Sequence, residues 1–272
     1  MSSAGDTAMK PLDAWPRQER QGIVGVLTDI DDTLTTDGAI TPDALGALVA
    51  LREAGLQVMA VTGRPVGWSE PFAREWPVQA IVAENGAVAL VRGPDRQLHK
   101  LYQQDAATRA RNFQRLQDLL QAIEQVVPGA KRAQDSAGRE TDIAIDHSEF
   151  TQMPPERIEQ VAGLMRRSGL HATVSSIHIN GWIGDHDKYS GARWIVRELL
   201  GRDLDAEIGR WVYVGDSTND ERMFERFTHS VGVANIRRFV PLLKHRPRFV
   251  TQGERGQGFA ELATTLLRAH PA

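Results

Sequence analysis

The sequence predicts an α/β protein, a doubly wound parallel sheet into which a separate α+β module is inserted. Three observations carry that expectation. Apolar runs at residues 23–27, 56–61, 80–83 and 211–214 stop abruptly at polar turns, as strands buried on both faces do. The first two runs are joined by a helical pattern of crossover length, which makes a βαβ unit with a right-handed connection. Between residues 105 and 183 two amphipathic helices alternate with strands, the pattern of helices on one face of an antiparallel sheet.

Bulk properties narrow the class. The chain has 272 residues, room for two compact domains or one large one. It is 41% hydrophobic and 25% charged, ordinary for a soluble globular protein. A net charge of −3 gives no reason to expect nucleic acid or anionic membrane as partners. No apolar run approaches the roughly 20 residues of a spanning helix. Residues 1–21 are polar, carry two prolines and lack the apolar core of a signal peptide, so they read as a loose N-terminal arm. Without cysteine, disulfides, thiolate metal sites and cysteine nucleophiles are excluded. A cytoplasmic enzyme is the simplest reading, and the oligomeric state is left open.

The elements follow in order. Thr41 is placed to cap a helix over 44–54, with Pro42 at its first position and Gly55 ending it. The strand at 56–61 leads into Thr62-Gly63-Arg64-Pro65. A short strand at 80–83 meets Glu84-Asn85-Gly86-Ala87, followed by another at 88–91. The inserted module then has a helix over 105–127, a strand at 141–145, a helix over 154–167, and strands at 171–175 and 177–183. The first fold resumes with a helix running from about Lys188 to Leu200, the strand at 211–214, and short strands near 231 and 249 before a last helix over 259–267. The expected division is an arm at 1–21, a core formed by 22–104 and 184–272, and an inserted cap at 105–183.

Chemistry concentrates at the strand ends. Asp29, Asp31 and Asp32 put three carboxylates in four residues after the first strand. Carboxylates this close repel and shift each other, and a cation or a reaction would use them, although a solvated acidic turn reads the same way. Thr62 ends the next parallel strand, at the edge where open α/β sheets bind ligands. Its hydroxyl can donate to a phosphoryl oxygen and Arg64 can add charge, or Thr and Gly can simply stabilise the turn. Lys188 lies near a helix N-terminus, where a cation opposes the dipole. That invites an anionic partner, or else a surface pair with Asp185 or Asp187. His178 and Asn180 alternate on one face of the last strand of the inserted module. A packed structural histidine is the plainer account of His178. The eight histidines show no paired spacing of the zinc type.

Taken in order, the D-x-D-x-T run from Asp29 to Thr33, Thr62 at a strand end, Lys188, and Gly215-Asp216-Ser217-Thr218-Asn219-Asp220 resemble the four motifs of the haloacid dehalogenase (HAD) phosphatase superfamily. The resemblance covers nearly the whole chain after Gln21. Asp32 departs from it, because many members have glycine there. Val61-Thr62-Gly63-Arg64-Pro65 and Glu84-Asn85-Gly86-Ala87 resemble the type IIB branch, with its Cof-type, sucrose-phosphatase and mannosyl-3-phosphoglycerate-phosphatase members and a cap inserted late.

The resemblance implies an HAD-like Rossmannoid core and a Mg2+-dependent phosphatase acting on a small phosphorylated metabolite, a sugar phosphate or sugar derivative. It makes Asp29 the nucleophile, Asp31 the general acid and base, and Thr62 and Lys188 the groups holding the phosphoryl oxygens. Mg2+, a hard cation taking oxygen ligands, would bind Asp29, Asp216 and the Asp31 carbonyl, with Asp220 and Asn219 orienting a ligand or a metal-bound water. Gly63, Arg64, His178 and Asn180 are the expected substrate contacts. Cations at Arg109, Arg111, Arg115, Lys131, Arg132 and Arg139 raise the idea of a second anionic group on the substrate, against the plainer one of a solvated face. A phosphomutase of the same superfamily would use the same aspartate, and a non-catalytic binding protein would have lost Asp29, Lys188 or Asp216.

Overall fold

A computed structural model describes residues 8–270. The chain forms two compact units, one running through Ala60 and resuming at Asp203, the other comprising Val61–Arg202.

The first unit is built on parallel strands in the order Lys10–Pro11, Phe249–Val250, His229–Gly232, Trp211–Gly215, Gly25–Thr28 and Gln57–Val61. Register runs Trp211↔Gly25 to Val214↔Thr28 on one side of the first strand and Gly25↔Gln57 to Thr28↔Ala60 on the other. Val26, Leu27, Val58, Met59, Val212 and Val214 are fully buried, which explains why these strands read as unbroken apolar runs. The helices Pro42–Glu53 and Arg255–Leu267 pack together in this unit. Thr41 occupies the N-cap position in extended conformation, but its hydroxyl makes no capping bond, so Pro42 at the first turn is the operative start signal. A small hairpin, Thr35–Thr36 with Ala39–Ile40, follows the acidic turn and closes through Asp37 and Gly38, both at positive φ.

The loose arm expected at 1–21 is not what the described part of that segment does; residues 1–7 lie outside the described residues. Lys10–Pro11 pairs in parallel with Phe249–Val250, and Arg17–Gln21 is helical. Trp15 is the reason. It is buried, stacks on Phe249 at 5.3 Å and lies 5.2 Å from the His229 ring. One large apolar ring outweighs the polar character of its neighbours.

The second unit contains two antiparallel sets of strands. One has Ala80–Ala83, Val88–Arg92 and Leu98–Tyr102. The other has the order His171–Val174, His178–Trp182, Asp142–Asp146 and Lys131–Arg132. The helices Ala106–Val126 and Pro155–Arg167 serve this second sheet, and Leu116, Leu120, Ile123, Ile143, Val161, Met165 and Ile179 form a hydrophobic core of its own. The same unit holds the helices Val66–Glu75 and Lys188–Leu200. No helix among the described residues is long and apolar enough to cross a membrane.

Candidate active site

In the first unit two neighbouring parallel strands end in carboxylates. Gly25–Thr28 runs into Asp29, whose N–H donates to the Val214 carbonyl at 2.9 Å. Trp211–Gly215 runs into Asp216. The chain after Asp29 turns tightly, with the N–H groups of Thr33, Leu34 and Thr35 all donating to the Ile30 carbonyl. Asp32 sits in this turn at φ 55°, a left-handed conformation that glycine adopts freely and Asp more readily than most side chains. Asp31 is half-buried, while Asp29 is buried.

Oxygens of Asp29, Asp216 and Asp220 lie within 4.8 Å of one another, and all three residues are buried. Their hydrogen bonds give them different duties. Asp220 accepts from the Tyr213 hydroxyl at 2.5 Å through Oδ1, and from the N–H groups of Asp216 and Ser217 at 2.9 and 3.2 Å through Oδ2. Its carboxylate organises the loop. Asn219 is tied in by the Ser217 hydroxyl at 2.8 Å. Asp216 is fully buried; its Oδ2 accepts from Asn235 Nδ2 at 3.0 Å, and its Oδ1 has no hydrogen-bond partner. Burial first, then the negative charges of Asp220, Asp29 and Asp32, push the Asp216 carboxyl well above its ordinary range. A buried carboxylate oxygen without a donor, among other carboxylates, fits a hard divalent cation.

In the second unit Thr62 follows directly on the strand Gln57–Val61 and is buried. Its hydroxyl accepts from the Arg64 N–H at 3.0 Å. The Gly63 carbonyl accepts from both Arg139 Nη1 at 3.1 Å and Asn180 Nδ2 at 3.2 Å. Lys188 is the first residue of its helix and is buried; Asp187 caps that helix in a capping box with Ser190. Gly86 lets the backbone at Asp187 and Gly191 come close, since a Cβ there would collide with the Asp187 carbonyl and crowd Gly191.

His178 and Asn180 do share a face, but both are buried and committed. His178 Nε2 lies 2.7 Å from Glu149, and Asn180 also donates to Asp142 at 3.2 Å. Arg64 pairs with Asp135 at 3.1 Å and Glu149 at 2.8 Å, and lies over the Trp68 ring. Burial alone would raise Glu149, but His178 and Arg64 outweigh it and hold the carboxyl down at about 2. Arg139 is buried against Asp142 and Asp135. Burial lifts Asp142 to about 7 even against the pull of Arg139. Two other module cations have partners nearby: Arg132 grips Glu124, and Arg109 covers the Tyr102 ring at 3.4 Å. Arg109, Arg132 and Arg139 are thus engaged within the unit.

The residues 26–126 match the family model of haloacid dehalogenase-like hydrolases. This is a similarity over 101 of the 272 residues. Among curated proteins no sequence matches. The chain shares its fold with a protein of Plasmodium vivax described as a HAD/COF-like hydrolase, at 19% identity, TM-score 0.67, and coverage of 93% of this chain and 99% of that one. Similar figures hold for the sucrose-phosphatase of Synechocystis solved with sucrose and phosphate (16%, TM-score 0.64, 89% and 97%). They hold too for the C-terminal domain of trehalose-6-phosphate phosphatase from C. albicans (14%, TM-score 0.66, 95% and 98%).

Several residues that shape these surroundings gave no motif signal. Asn235 and Arg238 flank Asp216, Tyr213 holds Asp220, and Asp142 anchors Asn85, Arg139 and Asn180. Glu84, in a segment that read only as a fold marker, is fully buried and accepts from the N–H groups of Val66, Glu140 and Thr141. A glutamate between a strand and Asn-Gly was the one available hint.

Proposed function

We propose that this hydrolase is a Mg2+-dependent phosphomonoesterase acting on a small phosphorylated metabolite, a sugar phosphate or sugar derivative. The observation that carries the reading is the buried cluster of Asp29 and Asp216, with Asp216 Oδ1 bare while Asp220 is spent on the loop. Asp29 and Asp216, with the Asp31 carbonyl, would hold the cation. Mg2+ there supplies counter-charge for the phosphoryl oxygens.

Asp29 attacks phosphorus; its O–P bond forms as the bond to the leaving oxygen breaks. Asp31 gives that oxygen its proton. Water then attacks the aspartyl-phosphate, Asp31 takes the water's proton, and Asp29 and phosphate are released. The family resemblance assigns Thr62 and Lys188 to the phosphoryl oxygens, and Gly63 and Arg64 to the substrate. In the same reading residues 22–104 and 184–272 act as core and 105–183 as cap; the module's separate hydrophobic core supports the cap. His178 and Asn180 then act through Glu149 and the Gly63 carbonyl. Two relatives in fold named for sugar phosphates support the substrate class.

A phosphate-release screen over sugar phosphates, with Mg2+ and with EDTA, tests the proposal. Metal-dependent release from at least one sugar phosphate is expected. Full activity in EDTA, or transfer to a second sugar hydroxyl without free phosphate, would overturn it.

A further inference from the structure

The next step rests on the proposed Mg2+ centre and concerns which cation it accepts. The two oxygens of Asp216 have unlike surroundings. Oδ1 is buried and bare. Oδ2 accepts from Asn235 Nδ2 at 3.0 Å, and Arg238 Nη2 stands 3.6 Å from it. The Asn235 amide cannot turn away without loss, because the same Nδ2 donates to the Asp32 carbonyl at 3.0 Å and Oδ1 accepts from the Arg255 N–H at 3.0 Å. Its backbone is fixed as well. Asn235 lies in the short helix Ala234–Arg238, entered by Val233 N–H on the Gly215 carbonyl and Ala234 N–H on the Gly253 carbonyl. The first of these bonds ties it to the residue before Asp216. Arg238 is kept nearby by Asp32 at 3.3 Å.

We propose that Asn235, backed by Arg238, sets the metal selectivity of this hydrolase by reserving Oδ2, so that Asp216 presents a single oxygen to the cation. Mg2+ demands near-ideal six-fold geometry and is satisfied by one oxygen per carboxylate. Ca2+ takes six to eight oxygens and gains from carboxylates that use both. An occupied Oδ2 therefore withholds a ligand from Ca2+ and none from Mg2+. A residue that merely kept the loop folded would weaken both cations alike.

Calorimetric titration of the substrate-free protein with Mg2+ and with Ca2+ separates these cases. Wild type, Asn235→Ala and Arg238→Met are compared. The ratio of Ca2+ to Mg2+ affinity is expected to rise about tenfold in Asn235→Ala and by a smaller factor in Arg238→Met. The Arg238 side chain is 48% exposed, so its replacement leaves the fold in place and decides the matter even if Asn235→Ala does not fold. An unchanged ratio, or an equal loss for both cations, overturns the role of Asn235. Failure of wild type to bind Mg2+ overturns the metal centre itself.

Discussion

Replacing Asp216 by Asn should stabilise the metal-free protein while removing its response to Mg2+. The variant keeps the shape and removes one charge from a cluster whose oxygens lie within 4.8 Å of one another. At that distance two carboxylates repel by roughly 3.5 kcal/mol at an effective dielectric of about 20. Taking up a proton relieves the strain, and this caps the penalty. With an ordinary value of 3.8 and a native value well above it, the cost at pH 7 cannot exceed roughly 4 kcal/mol. Arg238 beside Oδ2 offsets part of that. A gain of about 1–4 kcal/mol is expected, equivalent to roughly 3–12 °C in Tm for a chain of this size. The asparagine oxygen can face Asn235 while its NH2 faces the other carboxylates. The sign of the pH dependence follows. The native state holds this proton more tightly than the unfolded chain, so metal-free wild type loses stability as pH rises above 3.8, and the variant lacks that slope. Wild type in Mg2+ at a hundred times its Kd should recover about 2.7 kcal/mol, and the variant nothing. Urea and thermal unfolding in EDTA and in Mg2+, from pH 5 to 8, read all of this. A variant less stable than wild type in EDTA at pH 7, with an undiminished Mg2+ response, would refute the reasoning.

Three other outcomes are expected. Asp29→Asn should abolish phosphate release while circular dichroism stays native-like and the unfolding midpoint does not fall, because an amide is a poor nucleophile; normal turnover by the folded variant would remove Asp29 from that role. Glu149→Gln should cost about 1–2 kcal/mol at neutral pH through its bonds to Arg64 and His178. Because the Glu149 carboxyl is depressed to about 2, wild type loses this advantage as pH falls from 4.5 through 2, and the two proteins' unfolding free energies should converge there. Trp15→Ala should cost about 3–5 kcal/mol and expose the amides of residues 10–21 to hydrogen exchange; unchanged protection would mean that Trp15 does not hold the segment down.

What the sequence made legible, and what it did not, follows from the range over which each signal acts. Asp29, Thr62 and Asp216 each follow a buried apolar run within one or two residues, so a local reading finds them. The same holds for the helix at Pro42 and its end at Gly55, which sits at φ 80°. Asn235 has no such marker. Its partners are 203 residues away at Asp32 and 19 away at Asp216, and only the fold brings them to one amide. Glu84 and Asp142 fail for the same reason, since each takes a donor from a segment 57 residues distant. Arg139, a cation of the inserted module, shows the opposite limit. Composition shows charge but not its partner, and Arg139 is matched by Asp142 three residues on.

Asp32 shows how a local departure and a distant arrangement explain each other. A glycine at φ 55° would turn the chain at no steric cost, whereas Asp takes that conformation at some expense. The carboxylate is placed where it meets Arg238 at 3.3 Å and Arg255 at 3.1 Å, two cations contributed by the far end of the chain. Its carbonyl meets Asn235. The extra negative charge therefore does not simply add to the crowd at Asp216; it draws in an arginine that also leans on Oδ2. On this argument Asp32 and Arg238 form one device. Asp32→Gly should relax the turn yet leave Arg238 less well held, so the ratio of Ca2+ to Mg2+ affinity should rise, as is expected of Arg238→Met. A glycine variant with wild-type discrimination between the two cations would show that Asp32 serves the turn alone.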